Sequence, residues 1–196
     1  MNFTLQRASH LCFESSLPVA ICTITDSTGK TIYARRAKAN GHFYKFCANM
    51  KAGSYRISSN TSDNFKVTVL GDIPAWNMQL PAPQWVRASA ITKTIVTGDS
   101  KRLSPAETNV KLGIMYLNPK FFALPFYAQE FIKAHEEGHL FYKSEEYCDL
   151  YAVNKIMKQG GNLSPCLLAL ENGLKRSPNN VQRTENFFKS IVHHGK

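Results

Sequence analysis

The sequence predicts an α+β chain: a small β-sandwich over residues 1–70, a proline-rich connector over 71–85, and a mainly helical domain with a few strands over 86–196. Three observations carry that expectation. Short β-branched or aromatic runs recur at regular spacing before residue 70. Pro74, Pro81 and Pro83 then cluster with Trp76 and Trp85, too dense in proline for a regular element. Beyond residue 124, helix start and stop signals recur.

Composition sets the outer bounds. A chain of 196 residues with 43% hydrophobic and 19% charged residues is long enough to bury a core and has the balance of an ordinary globule. Its five cysteines, Cys12, Cys22, Cys47, Cys148 and Cys166, are scattered and never in C-x-x-C spacing. That pattern points to synthesis in a reducing, cytoplasmic compartment and away from a disulfide framework. Arg7, His10 and Glu14 interrupt the apolar stretch near the start, so no secretory signal is expected. No apolar run reaches the length of a membrane span.

In the first region, Pro18 to Thr25 is a β-branched run, and Asp26-Ser27-Thr28-Gly29 is a turn leading to Lys30–Ala34. His42 to Cys47 alternates and is rich in Phe and Tyr, which suits a pleated surface. Gly53–Ile57 and Phe65–Val69 bring the set to five or six strands, the number of a small sandwich or barrel. The phrase Met50-Lys51-Ala52-Gly53-Ser54-Tyr55 is similar to the turn before a late strand in transthyretin-like and carboxypeptidase-regulatory-like sandwiches. Nothing catalytic stands out there: His10 and His42 read as surface or core residues, and the region reads as a docking module for protein partners. The connector's two indoles are expected to pack against one of the domains. Ala90–Thr97 and Leu112–Leu117 read as strands separated by a loop containing Ser104-Pro105. Leu163-Ser164-Pro165 and Ser177-Pro178 each place serine as a cap and proline at the first helical position. Leu167, Leu168, Leu170 and Leu174 give one late helix an apolar face, and Val181, Phe187, Phe188 and Ile191 give another. His193-His194 read as tail residues.

The chemistry concentrates between Leu124 and Gln159. His135-Glu136-Glu137-Gly138-His139 is a His-Glu-x-x-His pattern, and on a helix its two imidazoles share one face and can share one metal ion. Glu136 between them is placed to take a proton from metal-bound water. Leu124-Pro125 marks the start of this helix. Ser144-Glu145-Glu146 offers a cap and acidic first-turn residues for a second helix that runs to a Gly160-Gly161 stop. Glu145 and Asp149 are again four apart on one helix face. Folded back on the first helix, that face supplies a third, oxygen ligand and leaves a fourth position for water, a catalytic zinc arrangement.

These residues resemble the zincin metallopeptidases whose third ligand is a glutamate. Glu145-Glu146-Tyr147-Cys148-Asp149-Leu150-Tyr151-Ala152 is similar to their downstream E-x-x-A-D-x-x-A signature, with Cys148 in the place of the usual alanine. The resemblance implies a zincin-like domain over 86–196, Zn2+ as cofactor, Glu145 as ligand and Asp149 as its support. The interval from His139 to Glu145 is shorter than usual and resembles that of the metzincins, although Tyr142 stands where they use glycine. Asp149 therefore stays open as an alternative third ligand. The segment from Leu124 to Gln159 also resembles small metallopeptidase-like proteins encoded by bacteriophages. By the same resemblance, Gly113–Leu117 is the candidate rim strand, beside which an extended peptide can add as another strand.

The function expected on these grounds is zinc-dependent hydrolysis of peptide bonds by metal-activated water. Glu136 is then the proton acceptor, and Tyr142, Tyr147 and Tyr151 are candidate oxyanion donors. The alternative is a structural component of a larger assembly such as a phage virion, with an inherited or structural metal site. The net charge is +10, yet residues 129–151 hold six acidic side chains against two basic ones. An acidic island in a basic chain suits a cation. The basic remainder leaves nucleic acid open as a partner, with no motif behind it.

Overall fold

The computed structural model describes residues 1–37, 40–61, 64–85, 88–98, 104–173 and 187. It is α+β, with ten strands in three sheets and four helices among those residues. The chain divides into two compact units, Met1–Ala75 with Met157–Leu168, and Trp76–Ile156 with Ala169–Lys196.

The first unit contains β1 (Asn2–Leu5), β2 (Ser9–Val19), β3 (Ile21–Asp26), β4 (Thr31–Arg36), β5 (Phe43–Met50), β6 (Gly53–Ser59) and β7 (Phe65–Gly71). They form two antiparallel sheets, ordered β1-β6-β3-β4 and β5-β2-β7. Seven strands thus stand where five or six were expected. The two missed ones, β1 and most of β2, lack a β-branched run. β2 is held by its alternation: Leu11 and Phe13 enter the core while His10 and Glu14 stay partly exposed.

One apolar core joins both sheets, with Leu11, Phe13, Ile24, Tyr33, Phe46, Met50 and Ile57 at its centre. Phe46 stacks on Phe13 at 4.8 Å and on Tyr33, from the other sheet, at 5.3 Å between ring centroids. The expected turn is present: the Asp26 carboxylate accepts from the backbone N–H of Thr28 and Lys30, and Gly29 takes the left-handed φ of 82° that the turn requires. His10 pairs through Nδ1 with Asn49 Oδ1 at 2.7 Å, and His42 is exposed. Strand β5 lies at a sheet edge, and the Asn162 carboxamide meets both the N–H and the C=O of Asn49 there. A side chain so placed satisfies backbone groups that would otherwise template another strand.

The second unit contains β8 (Lys93–Val96), β9 (Ala106–Asn109), β10 (Ile114–Leu117), the short α1 (Pro119–Phe122) and α2 (Phe126–Gly138). Two further helices belong to both units: α3 (Glu145–Lys158) has its last two residues in the first unit, and α4 (Leu163–Gly173) has its residues up to Leu168 there. The sheet order is β8-β10-β9, with β10 parallel to β8 and antiparallel to β9. Strand β9 falls where a loop was expected, because its sequence Ala-Glu-Thr-Asn carries no β signal of its own. The rim expectation is corrected as well: β10 is hydrogen-bonded on both sides, so Gly113–Leu117 cannot accept another strand. Gly113 itself has φ +63°, and a Cβ there would lie 2.5 Å from the Ala90 carbonyl oxygen.

Helix α2 starts after Pro125 and α3 starts after Ser144, with Glu145 and Glu146 in its first turn. Gly160, at φ +77°, closes the turn after α3. Helix α4 begins at Leu163, ahead of the expected cap, and the Ser164 hydroxyl instead donates to the Ala34 carbonyl at 3.0 Å. Both connector indoles donate to the helical hairpin, Trp76 to the Asn154 side chain and Trp85 to the His139 carbonyl. No helix among the described residues is long and apolar enough to cross a membrane. Phe187 is fully buried; Leu174, Ser177-Pro178, Val181, Phe188, Ile191 and His193-His194 lie outside the described residues.

Candidate metal centre

The metal-ligating residue types converge where α2 meets α3. His135, Glu136 and His139 each bring a ligand atom within 4.8 Å of the others. The two imidazoles, one helical turn apart, stand edge-to-face with centroids 4.9 Å apart. Across from them on α3, the Glu145 carboxylate lies 3.3 Å from His135 Nε2 and 3.5 Å from His139 Nε2. Asp149 is fully buried on the other side of His135, with Oδ1 2.8 Å from its Nδ1.

Each ring's far nitrogen has its own partner. A carboxylate only accepts, so His135 donates from Nδ1 to Asp149, and its Nε2 faces the cleft and Glu145. On His139, Nδ1 lies 3.3 Å from Cys148 Sγ, and that thiol donates to the Tyr142 carbonyl at 3.7 Å. With the thiol proton spent, Sγ accepts from His139 Nδ1, which turns the second Nε2 toward the same point. Partners of this kind orient metal-ligating imidazoles and set their tautomer.

Packing explains why the helices can come so close. A Cβ on Gly138 would lie 3.0 Å from Cys148 Cα, so glycine at that place in the motif lets the last turn of α2 rest on the α3 backbone. Glu137, the motif's other acid, points the opposite way. It accepts from the Tyr151 hydroxyl at 2.7 Å and pairs with Lys155, which pins α2 to α3.

The electrostatics follow from burial. Glu136 is only 7% exposed, and burial pushes its carboxyl up to about 7, helped by Glu145 and Glu107 and opposed by His135 and Thr108. For His135, burial works to lower the pKa. Hydrogen bonds to Asp149 and Glu145, with the charges of Asp149 and Glu136, outweigh it and hold the imidazolium up to about 9. Thr108, on β9, is the hydroxyl that acts on the Glu136 carboxyl, and its Oγ1 is buried.

A cleft of about 250 Å³ opens on this cluster, lined by Glu136, His139, Glu145, Glu107 and Leu170 among others. Its far wall is Ser104–Glu107, the start of β9, which is the outer strand of its sheet among the described residues. Asn118 holds that wall in place: its Nδ2 donates to the Ser104 carbonyl at 2.6 Å and its backbone N–H donates to the Pro105 carbonyl. These lining residues escaped the sequence reading, and only the proline-bounded segment before Gly113 hinted at them. None of the three tyrosines expected as oxyanion donors lines the cleft. Tyr142 donates to the Pro81 carbonyl and Tyr151 to Glu137, so both hydroxyl protons are committed elsewhere.

The donor set fits a divalent cation. Two imidazole nitrogens and a carboxylate oxygen face one point, and further carboxylates surround it. Compared with the profiles of known protein families, with curated proteins and with solved structures, the chain matches none.

Proposed function

We propose that this chain is a zinc-dependent hydrolase acting on peptide bonds, with His135, His139 and Glu145 as ligands. The single observation that carries the reading is the aim of the two imidazoles: both Nε2 atoms approach the Glu145 carboxylate, while both Nδ1 atoms are taken by residues of α3. Asp149 is already engaged with His135 Nδ1 and fully buried, which favours a supporting role for it and the ligand role for Glu145. Zinc bound there would supply Lewis acidity, lowering the pKa of its water to about 7 and polarising a carbonyl oxygen.

The chain's own residues do the rest. Glu136, buried and with its carboxyl near 7, is matched to accept a proton at neutral pH and pass it to the departing amine. The outer side of β9, which carries no neighbouring strand among the described residues, offers backbone groups along the cleft to an extended peptide. The preference for peptides over other acyl substrates, and the zincin kinship itself, rest on the resemblance of the two helices.

X-ray absorption on the purified chain, combined with Glu136→Gln, tests the reading. One zinc with two imidazoles, a carboxylate and water, together with a variant that keeps zinc and loses peptide hydrolysis, is the expected result. A site closed by four protein ligands, Asp149 included, would instead favour the structural role in an assembly. Failure to take up zinc would refute the proposal outright.

A further inference from the structure

The cysteines are scattered in sequence, yet two of them meet in the first unit. Cys12 lies on β2 and Cys47 on β5, and the register pairs them directly. Their chain neighbours Leu11, Phe13, Phe46 and Ala48 all belong to the core. Both thiols therefore project from the opposite face of the sheet, on the same side as each other. Directly opposed residues of an antiparallel pair have Cα atoms about 4.5–5.5 Å apart, and a disulfide spans about 4.4–6.8 Å. The register therefore sets the two cysteines within the Cα range that a disulfide spans.

The two thiols differ in access. Cys47 is exposed on the outer strand of its sheet, whereas Cys12 is buried on the central one. Lys45, held by Glu14 at 2.8 Å, interacts with the Cys12 sulfur and places a cation beside it. Burial and the neighbouring Cys12 raise the Cys47 thiol, so its attack is favoured at alkaline pH, but it stays accessible. Cys22 and Cys166 are buried, and burial pushes both thiols up to about 12.

We propose that Cys12 and Cys47 form a redox-responsive dithiol that a low-molecular-weight disulfide, of the glutathione class, closes to a cross-strand disulfide. The Cys47 thiolate attacks one sulfur of the oxidant, breaking its S–S bond and releasing one thiol. The Cys12 thiolate then attacks the Cys47 sulfur of the mixed disulfide and expels the second thiol. Two protein thiols are oxidised, one small disulfide is reduced to two thiols, and the two protons pass to those thiols. The product ties the outer strand β5 to β2 and closes the loop between residues 12 and 47, which restrains the unfolded chain. This inference is independent of the metal reading.

The test is incubation of the full chain with mixtures of reduced and oxidised glutathione at mildly alkaline pH, acid quenching, alkylation after unfolding, and peptide mapping by mass spectrometry. Cys12 and Cys47 are expected to lose alkylation together and to appear as one linked peptide pair, reversibly, with an upward shift in Tm. Cys22 and Cys166 should stay alkylated. Cys12→Ser is expected to stop at a glutathione adduct on Cys47. The proposal is overturned if both residues remain thiols, if the wild-type adduct on Cys47 persists unresolved, or if either cysteine links to another partner. The wild-type chain alone decides these outcomes, whether or not the variant folds.

Discussion

Metal binding at this site should be strongly proton-linked, and the structure sets the slope. In the metal-free chain His135 holds its proton up to about 9, because Asp149 and Glu145 outweigh the effect of burial. A metal needs the Nε2 lone pair, so that proton must leave on binding. At pH 7, two pH units below that value, about one site in a hundred carries a neutral ring, which weakens affinity about 100-fold, or roughly 2.7 kcal/mol. Zinc affinity should therefore rise about tenfold per pH unit from 7 to 9 and level off above. Below about 7 Glu136 is protonated as well, and the slope should steepen toward two protons. The stability of the metal-free chain should move the other way. Both groups have folded-state pKa values raised above their ordinary ones, Glu136 from 4.5 and His135 from 6.5. The folded state therefore binds more protons than the unfolded state through this range. The stability due to Glu136 is complete below pH 4.5 and lost as pH rises through 7; that due to His135 is complete below 6.5 and lost through 9. Competition with a chromophoric chelator across this range, with calorimetry in buffers of different ionisation enthalpy, measures the protons released. Affinity that is flat between pH 7 and 9 would refute the reasoning.

Other perturbations follow from single contacts. Cys148→Ala removes the acceptor of the His139 Nδ1 proton and should weaken zinc about tenfold, while Cys148→Ser should restore most of it; chelator competition reads both. Gly138→Ala forces a Cβ to within 3.0 Å of Cys148 Cα and should cost about 1–3 kcal/mol by separating the helices, seen as a lower urea midpoint. Phe46→Ala, emptying the ring between Phe13 and Tyr33, should cost about 3–5 kcal/mol in the same assay.

The sequence by itself determined the parts of this protein that repeat at short range. The His135–His139 spacing, the Glu145–Asp149 spacing, the Asp26–Gly29 turn and the aromatic strand at Phe43–Cys47 are all local patterns, each read from the period of a helix, strand or turn. The α+β class followed from their order along the chain. Elements without a local signal were invisible: β1 and β9 are four residues each and exist because a neighbouring strand supplies their hydrogen bonds. The rim strand was misplaced for the same reason, since which strand lies outermost is a property of pairing.

Only the tertiary structure decided how the two helices share the histidines. Sequence spacing made Glu145 and Asp149 equivalent, four residues apart on one face. Packing of α3 on Gly138 separates them, setting Asp149 behind His135 and Glu145 in front of both rings. It also turned Cys148 from a departure in a motif into the partner of His139, and brought Cys12 opposite Cys47. Such pairings depend on distances between segments far apart in the chain, which no local period encodes.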